Sequence, residues 1–315
     1  MYVIDNPFHR AVYLTGPTAS GKTAVGVELA RRLDAEVVAL DSMTLYRGMD
    51  VGTAKPTPAE MRGVPHHLID VLDPWEAASV AGYRAWAADA VARVEAGGKR
   101  VLFVGGTALY LKALLRGLFE GPGADPALRL RLEAEADRLG DAALHARLAE
   151  ADPASAARLH RNDRRRVVRA LEVVETTGRP LSAFQVGHDR PAPEGVAVYA
   201  LDRPRDELRA RIDGRVVRMF DDGLVEEVRA LTTAPRPLGR VAAQGVGYSE
   251  VTDLLAGRAS LVETVTRVQA RTRQFAKRQG TWFRGLAEVR PWPLSGGEEP
   301  GETAEKLAAT IGSGG

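Results

Sequence analysis

The amino-acid sequence predicts an α/β fold, a parallel sheet core flanked by helices and interrupted by an all-helical insertion. Three observations predict it. Residues 11 to 104 alternate short β-branched runs with longer segments of helical period, the pattern of βαβ units around a parallel sheet. A complete glycine-rich phosphate loop follows the first of those runs. From Asp125 to about Gly178, Ala, Leu, Arg and Glu dominate and the strand pattern stops.

Strands are expected at Ala11 to Thr15, Glu36 to Leu40 and Val101 to Val104. Between the first two, Thr23 to Leu33 carries Val25, Leu29, Ala30 and Leu33 at helical spacing. Pro126 and Pro153 sit where insertion helices begin. A linker with Pro191, Pro193 and Gly195 leads into Val196 to Leu201, a run that returns the chain to the sheet. The core is therefore assigned to 1–120 and 191–294 and the insertion to 121–190. The core's last stretch is read as helical to about Arg284, and the Gly- and Glu-rich tail, 295–315, as only partly ordered.

Composition narrows the class. The 315 residues are 45% hydrophobic and 27% charged, which excludes a disordered chain and is ample for a large core. No apolar run is long enough to span a bilayer. The chain has no Cys, so thiolate chemistry is absent. No basic segment followed by an apolar one opens it, so a cytoplasmic protein is expected; nothing in the sequence demands a dimer, so a monomer is the default. Lys plus Arg number 43 against 41 Asp plus Glu, a balance that says nothing about where the charges lie.

The loop Gly16-Pro17-Thr18-Ala19-Ser20-Gly21-Lys22-Thr23 is a complete G-x-x-x-x-G-K-[ST] pattern between a strand and a helix, and makes the core P-loop NTPase-like. Its amides and the helix N-terminus are expected to cradle a di- or triphosphate. Lys22 would reach the outer phosphate, and the Thr23 hydroxyl would ligate Mg²⁺. This implies nucleotide or ATP binding only at the level of fold.

Asp41 follows the second strand at its carboxyl end, where open parallel sheets bind ligands. It is suited either to hold Mg²⁺ or to accept a proton from a nucleophile, the alternative being a structural role as a helix N-cap or turn aspartate. Gly105-Gly106-Thr107 ends the third strand and offers either a ligand contact or a helix cap. His66 and His67, adjacent and without a third ligand, read as structural.

Arg158, Arg161, Arg164, Arg165, Arg166 and Arg169 crowd the insertion, with Asn162 a candidate helix cap and Val167, Leu171 and Val174 on the inner face. A second basic stretch, Arg267 to Arg284, contains no acid, and Val265, Val268, Phe275 and Trp282 give it an apolar side. Together they favour a nucleic-acid partner. Arg209, Arg211 and Arg215 follow the returning strand; Arg211 and Arg215 share a face that could turn back to a phosphate.

These residues resemble the tRNA dimethylallyltransferases, or tRNA isopentenyltransferases. The resemblance rests on the loop, on Asp41 to Pro56 (DSMTLYRGMDVGTAKP), on Pro65 to Asp70, and on Val104-Gly105-Gly106-Thr107. It continues through Asn162-Asp163 with Arg166 and Arg169 to Glu172, Gly245 to Tyr248, and Lys277-Arg278-Gln279 with Thr281-Trp282.

The resemblance implies transfer of a dimethylallyl group from dimethylallyl diphosphate to N6 of adenosine 37, beside the tRNA anticodon. Asp41 would be the general base, with Thr107 and Lys22 also catalytic. Residues 16 to 23 would bind diphosphate with Arg211 or Arg215. The resemblance also implies contacts to the anticodon stem-loop from Asp41, Ser42, Met43, Thr44, Thr107, Arg129, Arg165, Arg166, Val167, Val168 and Arg169. In the carboxyl-terminal half they would come from Gln244, Gly245, Val246, Gly247, Tyr248, Lys277, Arg278, Gln279, Trp282 and Arg284. Competing readings are a small-molecule P-loop kinase, an adenylate prenyltransferase and a non-enzymatic RNA-binding module. The kinase and the adenylate enzyme leave the basic helices without a purpose, and the RNA-binding module leaves the phosphate loop idle.

Overall fold

A computed structural model describes residues 6–118, 121–185 and 190–313. It divides into two compact units, with boundaries after Leu115 and after Arg190.

The larger unit is built on one parallel sheet. Its strands are β1 (Val12–Thr15), β2 (Ala35–Ala39), β3 (His66–His67), β4 (Arg100–Val104), β5 (Ala197–Asp202) and β6 (Val289–Pro293), in the order β3-β2-β4-β1-β5-β6. The chain passes from β1 to β2 and returns later to place β4 between them. That leaves a crevice at the carboxyl ends of β1 and β4, where the winding reverses.

Alternate residues of the central strands point to opposite faces, and both faces are covered, so the runs are apolar throughout. Tyr13, Val38, Phe103 and Val198 join one core with Tyr83, Leu111 and Phe283. Val12, Leu14, Val37, Leu102 and Tyr199 join the other with Val25 and Leu29. The Tyr13 and Phe103 rings stack at 4.9 Å across neighbouring strands.

Helix α1 (Lys22–Leu33) follows β1, α2 (Pro58–Met61) precedes β3, α3 (Val80–Ala96) precedes β4, and α4 (Ala108–Arg116) follows it. The strand at His66–His67 confirms the structural reading of that pair, since His67 Nε2 sits 2.6 Å from the Glu36 carboxylate on β2.

The smaller unit is helical: α5 (Pro126–Leu139), α6 (Asp141–Ala151), α7 (Pro153–Arg158), α8 (Arg164–Thr177) and α9 (Leu181–Phe184). Asp125 and Asp152 cap α5 and α7 by accepting from the backbone N–H groups of Leu128 and Ser155. Helix α8 is capped by Asp163, not by Asn162 as expected; its carboxylate accepts from Arg166 N.

Beyond β5, the larger unit adds α10 (Arg205–Asp221), α11 (Leu224–Thr233), α12 (Tyr248–Leu255), α13 (Leu261–Arg284) and α14 (Pro300–Ser313). Helix α14 corrects the partly ordered tail. Ala304, Leu307, Ala308 and Ile311 recur at helical spacing and pack with the core that contains α1. The surrounding Gly and Glu hid that stripe.

Candidate active site

The loop joining β1 to α1 bends through Gly21, the N-cap, at φ 95°, a conformation that glycine adopts without strain. The N–H groups of Ala19, Gly21, Lys22 and Thr23 meet no acceptor among the described residues. Unpaired amides at the start of a twelve-residue helix form an anion cradle. Thr23 is half-buried, and its hydroxyl likewise has no partner among the described residues. That hard oxygen donor fits Mg²⁺. No cluster of three or more His, Asp or Glu suited to a metal exists among the described residues, so the cation would take its other oxygens from the phosphates and water.

Asp41 lies two residues beyond β2, and its carboxylate accepts from Met43 N at 2.8 Å. Burial pushes its carboxyl above the ordinary aspartate range, opposed by that bond and by the Lys22 charge. Lys22 donates to the Pro17 carbonyl at 3.1 Å. Burial, followed by the nearby Arg215 charge, lowers its ammonium to about 8, while Asp41 pulls the other way. The Lys22 ammonium and the Asp41 carboxylate are thus near enough to influence each other's charge. Thr107 directly precedes α4 and its carbonyl accepts from Leu111 N at 3.1 Å, while its hydroxyl accepts from Ser42 N, also at 3.1 Å, instead of from the helix.

From α10, Arg211 Nε donates to the Ala19 carbonyl at 2.9 Å, and Arg215 stands 3.4 Å from the Thr18 hydroxyl. Arg209 lies elsewhere, exposed and 4.0 Å from Asp213. Two more residues touch the loop: Arg203, which the sequence reading did not single out, and Gln279, which was expected at RNA and instead points into the protein. Arg203 Nε donates to the Ser20 carbonyl at 2.7 Å while pairing with Glu207; its place just past β5 could have flagged it. Gln279 of α13 is buried, with Oε1 accepting from Thr18 N and Nε2 donating to the Gly106 carbonyl, both at 2.8 Å.

The comparisons with known proteins bear on this arrangement. The IPP transferase family model matches residues 44–286. The chain belongs to the IPP transferase family. A tRNA dimethylallyltransferase of Geobacter metallireducens is 47% identical over 304 residues, covering 96% of this chain and 97% of that protein. One from Streptomyces coelicolor is 46% identical, covering 97% and 96%. The crystal structure of a full-length tRNA isopentenylpyrophosphate transferase from Bacillus halodurans superposes with a TM-score of 0.70 at 37% identity, over 97% of this chain and 98% of that one. A eukaryotic dimethylallyltransferase acting on tRNA shares the fold, with a TM-score of 0.78 at 24% identity.

In this member of the family, several residues expected at RNA face inward instead. Val167 and Val168 are buried in the insertion's core with Leu132 and Leu148. Tyr248 is buried, and its hydroxyl donates to Glu227 at 2.7 Å, beneath a turn whose Asp50, Val51 and Gly52 amides the same carboxylate accepts. Arg129 and Arg169 grip the buried Glu172. The acid-free stretch on α13 finds acids on other helices: Arg267 pairs with Asp253, Arg271 with Glu250 and Arg273 with Asp213.

What stays exposed is narrower. On α13, Arg267 and Arg271 are exposed but paired, Lys277, Arg278 and Arg284 are exposed without an acid partner among the described residues, and the exposed rings of Phe275 and Trp282 do not form the expected inner side. In the insertion Arg158, Arg161, Arg165 and Arg166 are exposed, Arg158 bonded to Gln185 and Arg166 2.7 Å from Asp163. Gln244 is exposed, Gly245 and Gly247 are buried, Ser42, Met43 and Val246 are half-buried, and Thr44 is buried.

Proposed function

We propose that this chain transfers a dimethylallyl group from dimethylallyl diphosphate to N6 of adenosine 37, beside the anticodon of a tRNA, and releases diphosphate. The single observation that carries the site assignment is the cradle of unpaired amides at the start of α1, which holds Lys22 and lies beside the strand end that carries Asp41. The relatives' shared activity supplies the substrates.

In this reading the N6–C1 bond forms as the C1–O bond breaks, and the electron pair leaves with diphosphate. An exocyclic amine is a weak nucleophile, so Asp41 orients it and takes its proton. The backbone N–H of Met43 holds that carboxylate in place. Charge growing on the leaving oxygens meets the loop amides, Lys22 and the guanidinium of Arg211 or Arg215. Mg²⁺, held by Thr23 and the diphosphate, would add Lewis-acid stabilisation when bound.

The target base is stacked in an RNA loop and must be flipped out to reach Asp41. Lys277, Arg278 and Arg284 offer charge to phosphates, and the exposed Phe275 and Trp282 rings offer stacking surfaces. The reading includes a cytoplasmic protein that acts as a monomer, a complete site being supplied by the loop, Asp41, Thr107 and α10 of one chain. No helix among the described residues is long and apolar enough to cross a membrane.

Incubation with Mg²⁺, labelled dimethylallyl diphosphate and unmodified tRNA tests the reading. Label is expected on adenosine 37. Label on free AMP alone, or phosphate transfer from ATP, overturns it.

A further inference from the structure

We infer that Gln279 is a positioning residue that sets the shape of the phosphate cradle from the RNA-facing helix, and that the Thr18 amide is not itself an anion ligand. The inference rests on the proposed diphosphate site.

Gln279 occupies a place on α13 where a polar side chain is not expected. Val268, Ala276, Gln279 and Phe283 follow one another at spacings of a buried helical stripe, and each is buried. A buried amide must find partners for both ends. Gln279 finds them on two different elements at once. Its oxygen takes the N–H of Thr18, at the start of the loop, and its nitrogen serves the Gly106 carbonyl, at the exit of β4.

The approach leaves no room for a side chain at residue 106 while the bridge is in place. A Cβ on Gly106 would stand 2.3 Å from Gln279 Nε2, and one on Gly105 would stand 2.2 Å from the Leu40 carbonyl oxygen. The Gly-Gly pair is thereby explained as room for this bridge and for the neighbouring strand.

The bridge divides the loop's amides into two groups. Thr18 N is held by Gln279, and Ser20 N by the Pro17 carbonyl at 3.2 Å. Ala19, Gly21, Lys22 and Thr23 are left for phosphate oxygens. With Thr18 fixed, the loop enters its turn from a set position, and those amides point into one concavity.

The same bridge reaches the chemical end of the site. Thr107 directly follows the bonded Gly106 and holds Ser42, the residue after Asp41. On the outer side of α13, Lys277, Arg278, Thr281 and Trp282 are exposed. One side chain therefore ties the RNA-facing helix to both the diphosphate cradle and the strand end beside the base. Its contribution is to diphosphate binding, not to RNA affinity.

The test compares the full-length protein with Gln279→Met, which keeps the volume and loses both bonds, and with Gln279→Glu, which keeps an acceptor for Thr18. Calorimetry with inorganic diphosphate and Mg²⁺ reads the cradle, and filter binding reads tRNA. The Met variant is expected to weaken diphosphate binding about tenfold or more, with tRNA affinity within about threefold. The Glu variant is expected to fall between it and the wild type at acidic pH, where its carboxyl is protonated and can serve Gly106. Loss of tRNA affinity with diphosphate binding unchanged overturns the inference, as does no change in either. Equal loss of both affinities in the two variants also overturns it, because Gln279 then supports the fold as a whole. Failure of the wild-type protein to bind diphosphate overturns the site reading and this inference together.

Discussion

The Thr107 hydroxyl accepts the backbone N–H of Ser42 at 3.1 Å, tying the end of one strand to the residue that follows Asp41 on the next. Thr107 N in turn donates to the Leu40 carbonyl at 3.0 Å. Asp41, the proposed general base, thus sits in a short turn held from both sides. Replacing Thr107 with Ala removes the hydroxyl and frees Ser42 N. Transfer in a single-turnover assay is expected to slow between about ten- and a hundredfold, since small displacements of a catalytic group cost that much. Thr107→Ser is expected to recover most of the rate.

Asp41→Ala removes the proton acceptor while leaving the basic surfaces unchanged. Turnover is expected to vanish, with tRNA affinity within a few fold of wild type. A collapse of tRNA binding would falsify the general-base role and make Asp41 a binding residue.

Lys22 gives the reaction an alkaline limit. Its ammonium is lowered to about 8 by burial and then by Arg215, so the free protein loses this charge well below the ordinary lysine value. Diphosphate affinity is expected to fall above pH 8, approaching tenfold per pH unit, and calorimetry across pH 7 to 10 reads it. Lys22→Met should bind weakly throughout and show no such slope. In the unliganded protein the sign for stability is opposite. The unfolded chain binds more protons between about pH 8 and the ordinary lysine value, so this group makes stability rise with pH across that window.

How much of this was legible depended on what each residue must do. Strands β1, β2, β4 and β5 are apolar along nearly their whole length because both sheet faces are covered, and the sequence carries that plainly. Strand β3 is two residues long, and β6 holds Pro291 and Pro293 at a largely exposed edge, so neither has a periodicity to read. The loop and Asp41 are local patterns and were visible. Gln279 and Arg203 act on backbone atoms far away in the chain, and only their placement on a buried stripe or at a strand exit could have hinted at them. The arginines misled for the same reason. Runs without local acids were read as free charge, whereas Asp213, Glu250 and Asp253 reach them from other elements.

That pairing sharpens the expectation for RNA. Only the exposed charges without such partners should release counterions on binding, so Lys277 and Arg278 carry the test. tRNA affinity is expected to fall steeply with salt. Each of Lys277→Ala and Arg278→Ala should weaken binding similarly for all tRNAs and reduce the slope of log K against log salt by about one. Arg273→Ala, which breaks a pair with Asp213, should leave the slope nearly unchanged.

Glu172 decides the stability of the insertion. Its carboxylate is fully buried yet accepts from Arg129 at 2.9 and 3.0 Å, from Arg169 and from the Asp125 backbone N–H at 2.6 Å. Burial alone would raise its pKa, but the hydrogen bonds from Arg129 and Arg169 outweigh it and hold the carboxyl below the usual glutamate range. Glu172→Gln leaves both arginines without their counter-charge. Because those arginines keep contact with water, the expected cost is about 2 kcal/mol, below that of a fully buried pair. Hydrogen exchange in α8 of the full-length protein reads it, as faster opening of that helix. The sign with pH follows from the lowered carboxyl. Its stabilisation is complete above the ordinary glutamate value and is lost as pH falls through the lower folded value. Wild-type protection in α8 should therefore decline with acid, and the Gln variant, already neutral, should not share that part of the decline. Parallel acid profiles for the two proteins would show that water, not the carboxylate, compensates Arg129 and Arg169.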